Sequence, residues 1–115
     1  MKKILVVDDN QDDSYTIKEI LKKEGHKVWI ASNDMEVLDL LKNNKFDLIT
    51  IDILMPILSG YDVLKLLRKK LDYKAKMIYI SIVPEEEANM NGIDGFIQKP
   101  FTPKNLVSGV KKALC

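Results

Sequence analysis

The chain has 115 residues, 46% hydrophobic and 30% charged, enough for one globular domain over residues 1–115 with its own core and no room for a second. Its 18 basic and 17 acidic side chains give a formal net charge of +1, with the lysines scattered, which argues against direct binding to nucleic acid or membrane. A single cysteine, Cys115, excludes an intrachain disulfide and a thiolate metal site, and the natural compartment is a reducing cytoplasm.

In chain order, Ile4 to Val7 predict a strand over residues 3–8. Asp8 and Asp9 stop that run too early for a signal peptide, and no later run is long enough to span a membrane. Ile17, Ile20 and Leu21 recur at helical intervals and predict a helix at 12–24, ended by Gly25. His26 reads as an exposed turn residue before a strand over 27–31. Ser32 or Asn33 offers a cap for a helix at 34–44, with Val37, Leu38 and Leu41 on its apolar side. The third strand, 46–52, carries Leu48-Ile49-Thr50-Ile51 and ends on Asp52. Val63, Leu64 and Leu67 predict a helix at 60–71, followed by a fourth strand over 77–81 that ends on Ser81. Pro84 with Glu85, Glu86 and Glu87 starts a short fourth helix. Asn91-Gly92 stops it after about two turns, so it buries little and is expected to be frayed. A fifth strand over 95–98 leads into Lys99, and Thr102-Pro103 opens a last helix at 103–114 with Leu106, Val107, Val110 and Leu114 at helical spacing.

Such strand-helix alternation implies an α/β protein: one doubly wound parallel sheet of five strands with helices on both faces. Sites in such sheets lie beyond the strand C-termini, where Asp8, Asp9, Asp52, Ser81 and Lys99 stand. Clustered carboxylates repel one another and drift toward protonation unless a cation neutralises them. Oxygen donors without a Cys or His cluster suit Mg2+ rather than zinc. Asp52 ends a run too apolar to face solvent, and an unpaired buried carboxylate costs several kcal/mol. It suits a nucleophile in aspartyl-phosphate chemistry, with Lys99 and the Ser81 hydroxyl contacting phosphoryl oxygens. No glycine-rich phosphate loop is present, so the phosphoryl group comes from another molecule.

Val6-Val7-Asp8-Asp9, the stretch from Asp52 through Met55-Pro56 to Gly60, Ser81 at a strand end, and Gln98-Lys99-Pro100-Phe101 together resemble the receiver domain of two-component response regulators. The resemblance covers essentially the whole chain, and the Asp52 to Gly60 stretch is its most specific part. It implies the chemotaxis-type, flavodoxin-like strand order 2-1-3-4-5. It further implies Asp52 as phosphoacceptor, Asp9 as direct Mg2+ ligand, Asp8 acting largely through water, and Leu54 as ligand through its backbone carbonyl, with Mn2+ able to substitute. Ser81 matches the switch hydroxyl and Phe96 the aromatic switch position, while Lys99-Pro100 matches a peptide bond that is commonly cis in the family. The implied donor is a sensor histidine kinase or a histidine phosphotransfer protein, and the implied output is an unidentified downstream protein or effector domain. Such a domain is a phosphoprotein rather than an enzyme: its only chemistry is its own phosphorylation and dephosphorylation.

Three departures qualify that resemblance. Ile82 stands where the family usually has a small residue and is expected to narrow access to Asp52. Leu54 and Val83 offer no polar group to orient an attacking water, which predicts slow self-dephosphorylation. The stretch from Ser81 to Lys99 is several residues short, which reduces the face where partners or a second receiver dock in many members. The output is then expected through another face, or through a helix that orders on phosphorylation or binding, and a homodimer stays open. The sequence ends at the last helix and corresponds to a single-domain regulator or to the receiver part of a longer chain. The rival readings are a phosphorylation-independent interaction module with the receiver fold, and a phosphate-ester hydrolase of the haloacid dehalogenase type. Those hydrolases place a second Asp where Leu54 stands.

Overall fold

A computed structural model describes residues 1–115. Five strands, β1 (Lys3–Val7), β2 (Lys27–Ala31), β3 (Leu48–Ile51), β4 (Lys76–Ser81) and β5 (Gly95–Gln98), form one parallel sheet in the order β2-β1-β3-β4-β5. The helices are α1 (Gln11–Lys23), α2 (Asp34–Leu41), α3 (Gly60–Lys70) and α4 (Pro103–Leu114).

Alternation along each strand splits the interior into two layers, as the period of two in a strand requires. Leu5, Val7, Ile49, Ile51, Met77 and Tyr79 face α2 and α3, where Val37, Val63, Leu64 and Leu67 are buried. On the opposite face Ile4, Val6, Leu48, Ile78, Ile80 and Ile97 meet Ile17 and Leu21 of α1 and Leu106, Val110 and Ala113 of α4. Buried on both faces, the central strands read as near-continuous apolar runs. Every helix of two turns or more also has a side-chain cap at its N-terminus: Asn10, Asn33, Ser59 and Thr102 accept from the backbone N–H groups of Asp13, Glu36, Asp62 and Asn105. Gly25 takes the left-handed conformation (φ +90) that ends α1.

The structure corrects four sequence-based expectations. The helix expected at 34–44 stops at Leu41, because Asn43 and Asn44 add no apolar group to its buried side. The strand expected over 46–52 covers only Leu48–Ile51, and the N–H of the core residue Phe46 donates instead to the Tyr73 hydroxyl (2.9 Å). His26 is half-buried rather than exposed, its Nδ1 accepting from the Lys2 N–H at 3.2 Å. The short fourth helix between β4 and β5 is a single 3-10 turn, Glu85–Glu87, none of whose residues is buried. Three consecutive glutamates bury nothing that would repay the entropy of a longer helix, and the chain is already extended at Ala88. The segment is fastened to its surroundings instead. The Asn89 N–H donates to the Tyr61 hydroxyl (3.0 Å), the Arg68 guanidinium donates to the Gly92 carbonyl, and the Met77 N–H donates to the Asp94 carboxylate (2.8 Å).

Candidate functional site

The site lies at the C-terminal edge of the sheet, where the hydrogen-bond ladder runs one residue past the strands. The Asp52 N–H donates to the Val7 carbonyl (2.9 Å), which sets Asp52 beside Asp8, and the Lys99 N–H donates to the Ser81 carbonyl (2.8 Å). Residues distant in sequence are thus juxtaposed by strand register alone. The loop after β3 folds back onto the same place. Gly60 donates its N–H to the Ile53 carbonyl (2.8 Å), and a Cβ on Gly60 would lie 2.4 Å from the Asp52 carbonyl oxygen. Only glycine lets the start of α3 approach Asp52 so closely, which is the physical content of the Asp52 to Gly60 spacing.

Asp8, Asp9 and Asp52 present carboxylate oxygens that all lie within 4.8 Å of one another. Asp8 and Asp52 are buried, at 2% and 7% exposure, while Asp9 is more open. One cation meets the two buried carboxylates: Lys99 Nζ donates to Asp8 Oδ2 (2.8 Å) and Asp52 Oδ2 (3.1 Å), and also to Asp13 Oδ2 (2.8 Å). The other oxygens of the two buried carboxylates accept backbone N–H groups, Asp8 Oδ1 from Asn10 (2.9 Å) and Asp52 Oδ1 from Leu54 (3.2 Å). Burial pushes the Asp8 carboxyl up to about 6, against the opposing pull of the Lys99 hydrogen bond. Burial alone would lower the Lys99 ammonium, but its hydrogen bonds to Asp13 and Asp8 and the charges of Asp8 and Asp52 raise it above its ordinary value. Lys99 therefore remains a cation.

Ser81 is fully buried, and its Oγ accepts from the Val83 N–H at 3.3 Å. Phe96 is half-buried, with its ring edge-on to Tyr79 (6.4 Å between centroids). Tyr79 packs in turn edge-on against Tyr61 of α3 (5.6 Å). The Lys99–Pro100 peptide is cis. Leu54 and Ile82, 52% and 61% exposed, project apolar side chains at the surface, and Val83 is half-buried.

Sequence reasoning missed two groups. Asp13 was not singled out, although its place in the first turn of a helix capped by Asn10 fixes where its carboxylate points. Tyr79 and Tyr61 were not singled out either, and no spacing in the sequence shows that they continue the aromatic contact of Phe96.

Residues 4–111 match the family described as the response regulator receiver domain. Response regulator SaeR of Staphylococcus aureus strain USA300 is 34% identical over 119 aligned residues, covering 99% of this chain and 51% of SaeR. The chain thus spans about half the length of the curated relatives it matches. Among solved structures, chemotaxis protein CheY4 of Vibrio cholerae superposes with a TM-score of 0.90 at 28% identity, over 99% of both chains. Response regulator TrrA of Thermotoga maritima, solved in complex with Mg2+-BeF, superposes with a TM-score of 0.86 at 34% identity, over 99% of this chain and 100% of TrrA. The chain belongs to the response regulator receiver domains, the phosphorylation-dependent signalling domains of two-component systems.

Proposed function

We propose that residues 1–115 form one receiver domain that takes a phosphoryl group on Asp52 and passes the change to a partner. The observation that carries this reading is the convergence of Asp8, Asp9 and Asp52 within 4.8 Å of one another, with the buried Lys99 ammonium bonded to Asp8 and Asp52. In the transfer, an Asp52 carboxylate oxygen attacks the phosphorus of a phosphohistidine. The O–P bond forms, the N–P bond breaks, and the electron pair returns to the imidazole nitrogen of the donor.

Hard oxygen donors with no sulfur or imidazole among them suit Mg2+, with Mn2+ as a substitute. Asp8, Asp9 and Asp52, with the backbone carbonyl of Leu54, would hold it, and it would supply positive charge to the phosphoryl oxygens. TrrA, solved with Mg2+-BeF, supports that assignment. Lys99, with a donor already directed at Asp52 Oδ2, turns that N–H to a phosphoryl oxygen. The Ser81 hydroxyl donates to another, giving up its contact with the Val83 N–H. Ser81 lies two residues beyond Tyr79 on the same face of β4, and Tyr79 is paired with Phe96, so movement of Ser81 is passed to the Phe96 ring and the exposed surface changes accordingly.

The donor is a sensor histidine kinase or a histidine phosphotransfer protein. The receiver of the signal is a downstream protein or effector domain, in keeping with the greater length of SaeR. Beyond gaining and losing its own phosphoryl group, the chain turns over no substrate. No helix is long and apolar enough to cross a membrane, and a cytoplasmic site of action fits the family. The complete acidic site counts against a phosphorylation-independent module, and Leu54 counts against the haloacid dehalogenase type.

Intact mass after incubation with Mg2+ and acetyl phosphate tests the reading. One added phosphoryl group is expected, absent in Asp52→Asn and absent on chelating the metal. A folded protein that binds Mg2+ and gains nothing would refute it.

A further inference from the structure

A lysine ammonium has three N–H donors, and in Lys99 all three are taken by carboxylates, from Asp8, Asp13 and Asp52. Two of these acceptors have other duties in the proposed chemistry. Asp52 becomes the phosphorylated group, and Asp8 belongs to the cation-binding set. Asp13 belongs to neither. It comes from the first turn of α1 rather than from a strand end, and its side chain is 40% exposed, against 2% for Asp8 and 9% for Asp52.

Its position is fixed by the cap of α1. The Asp13 N–H donates to Asn10 Oδ1 (3.0 Å), and the Asn10 N–H donates to Asp8 Oδ1 (2.9 Å). With the two bonds from Lys99 to Asp13 and Asp8, these contacts close a ring of four hydrogen bonds. Asp13 is thereby held where its carboxylate meets the ammonium at 2.8 Å, and the negative charge is favoured at a helix N-terminus.

From this geometry we infer that Asp13 is a positioning residue for phosphoryl transfer: it anchors the Lys99 ammonium beside Asp52 through a contact that neither phosphorylation nor cation binding uses up. The inference rests on the phosphoacceptor reading of Asp52. When Asp52 is phosphorylated, Lys99 needs to redirect only the one N–H that faced it. The bond to Asp13 keeps the flexible lysine stem from swinging into solvent while that exchange takes place. Asp13 acts through Lys99 and touches no reacting atom.

Two readouts test this. In metal-free, 15N-labelled protein the ammonium protons of a buried, carboxylate-bound lysine exchange slowly enough to be observed, whereas those of surface lysines are lost to water. We expect one such signal, absent in Lys99→Ala, lost in Asp13→Ala and kept in Asp13→Asn, whose side-chain oxygen still accepts. The second readout is the rate of phosphoryl uptake from acetyl phosphate. Asp13→Ala is expected to slow it about tenfold or more, Asp13→Asn to restore most of the loss, and Asp13→Ala to have no effect in a Lys99→Ala background.

A Lys99 signal unchanged in Asp13→Ala would overturn the inference. So would an equal slowing in the Lys99→Ala background, because Asp13 would then act by another route. If the unaltered protein takes up no phosphoryl group, the phosphoacceptor reading fails, and the ammonium signal alone decides whether Asp13 anchors Lys99.

Discussion

Burial holds the Asp8 carboxyl at about 6, above its ordinary 3.8, even with the Lys99 ammonium 2.8 Å away. Between those values the folded protein carries a proton on Asp8 that the unfolded chain does not. For this group, stability is therefore greatest below about pH 4 and falls as pH rises through about 6, a loss on the order of 1–3 kcal/mol. Urea unfolding of the metal-free protein against Asp8→Asn should show it: the variant gains stability relative to the parent as pH rises from about 4 to 7. A difference that is flat or of opposite sign would contradict the assignment. Cation binding needs the charged form, so Mg2+ affinity should fall as pH drops through about 6. Neither Leu54 nor Val83 offers a polar group that could orient water toward an aspartyl phosphate. Loss of phosphate should be about tenfold or more faster in a Leu54→Asn, Val83→Glu variant than in the parent. At this scale the sequence shows each ionisable side chain but not its partners. Asp8, Asp52 and Lys99 were legible because they end apolar runs, whereas the bond from Lys99 to Asp13 depends on how α1 packs against β1, β2 and α4, which no local pattern encodes.

Between elements, the junction of β3 and α3 carries the site. Gly60 packs its α-carbon against the backbone of Asp52 and Ile53, and an added Cβ would meet three backbone atoms at 2.4–2.9 Å, none of which belongs to a flexible side chain. Gly60→Ala should therefore cost about 2–4 kcal/mol in thermal or denaturant unfolding and weaken Mg2+ binding with it, because the atoms that shift belong to Asp52. An unchanged stability would mean that the loop relaxes freely. Apolar periodicity found the long elements because each buries one clear face, and the caps at Asn33 and Thr102 found their starts. It misjudged residues 82–94. There the glutamates signal a helix start, but nothing apolar follows to hold one, and fixed contacts from Tyr61, Arg68 and Met77 replace helical packing. Those contacts are made by side chains and backbone of α3 and β4, remote in sequence, so local pattern alone could not reveal them.

At the scale of the whole molecule, two buried layers with a helix pair on each face hold the five strand ends in fixed register. That register brings the carboxylates, Ser81 and Lys99 to one edge, while the edge-on rings of Phe96, Tyr79 and Tyr61 lead from β5 toward α3. The strand order was legible only through the resemblance, because alternation of strands and helices fixes a parallel sheet but leaves several orders open. The central claim is that Asp52, and no other carboxylate of the cluster, accepts the phosphoryl group. The direct measurement is borohydride reduction of the protein after phosphorylation by acetyl phosphate, followed by peptide mapping, since an aspartyl phosphate is reduced to homoserine where a free carboxylate is not. The account predicts homoserine at position 52 and nowhere else. Homoserine at position 8, 9 or 13, or none in a protein that has gained a phosphoryl group, would contradict it.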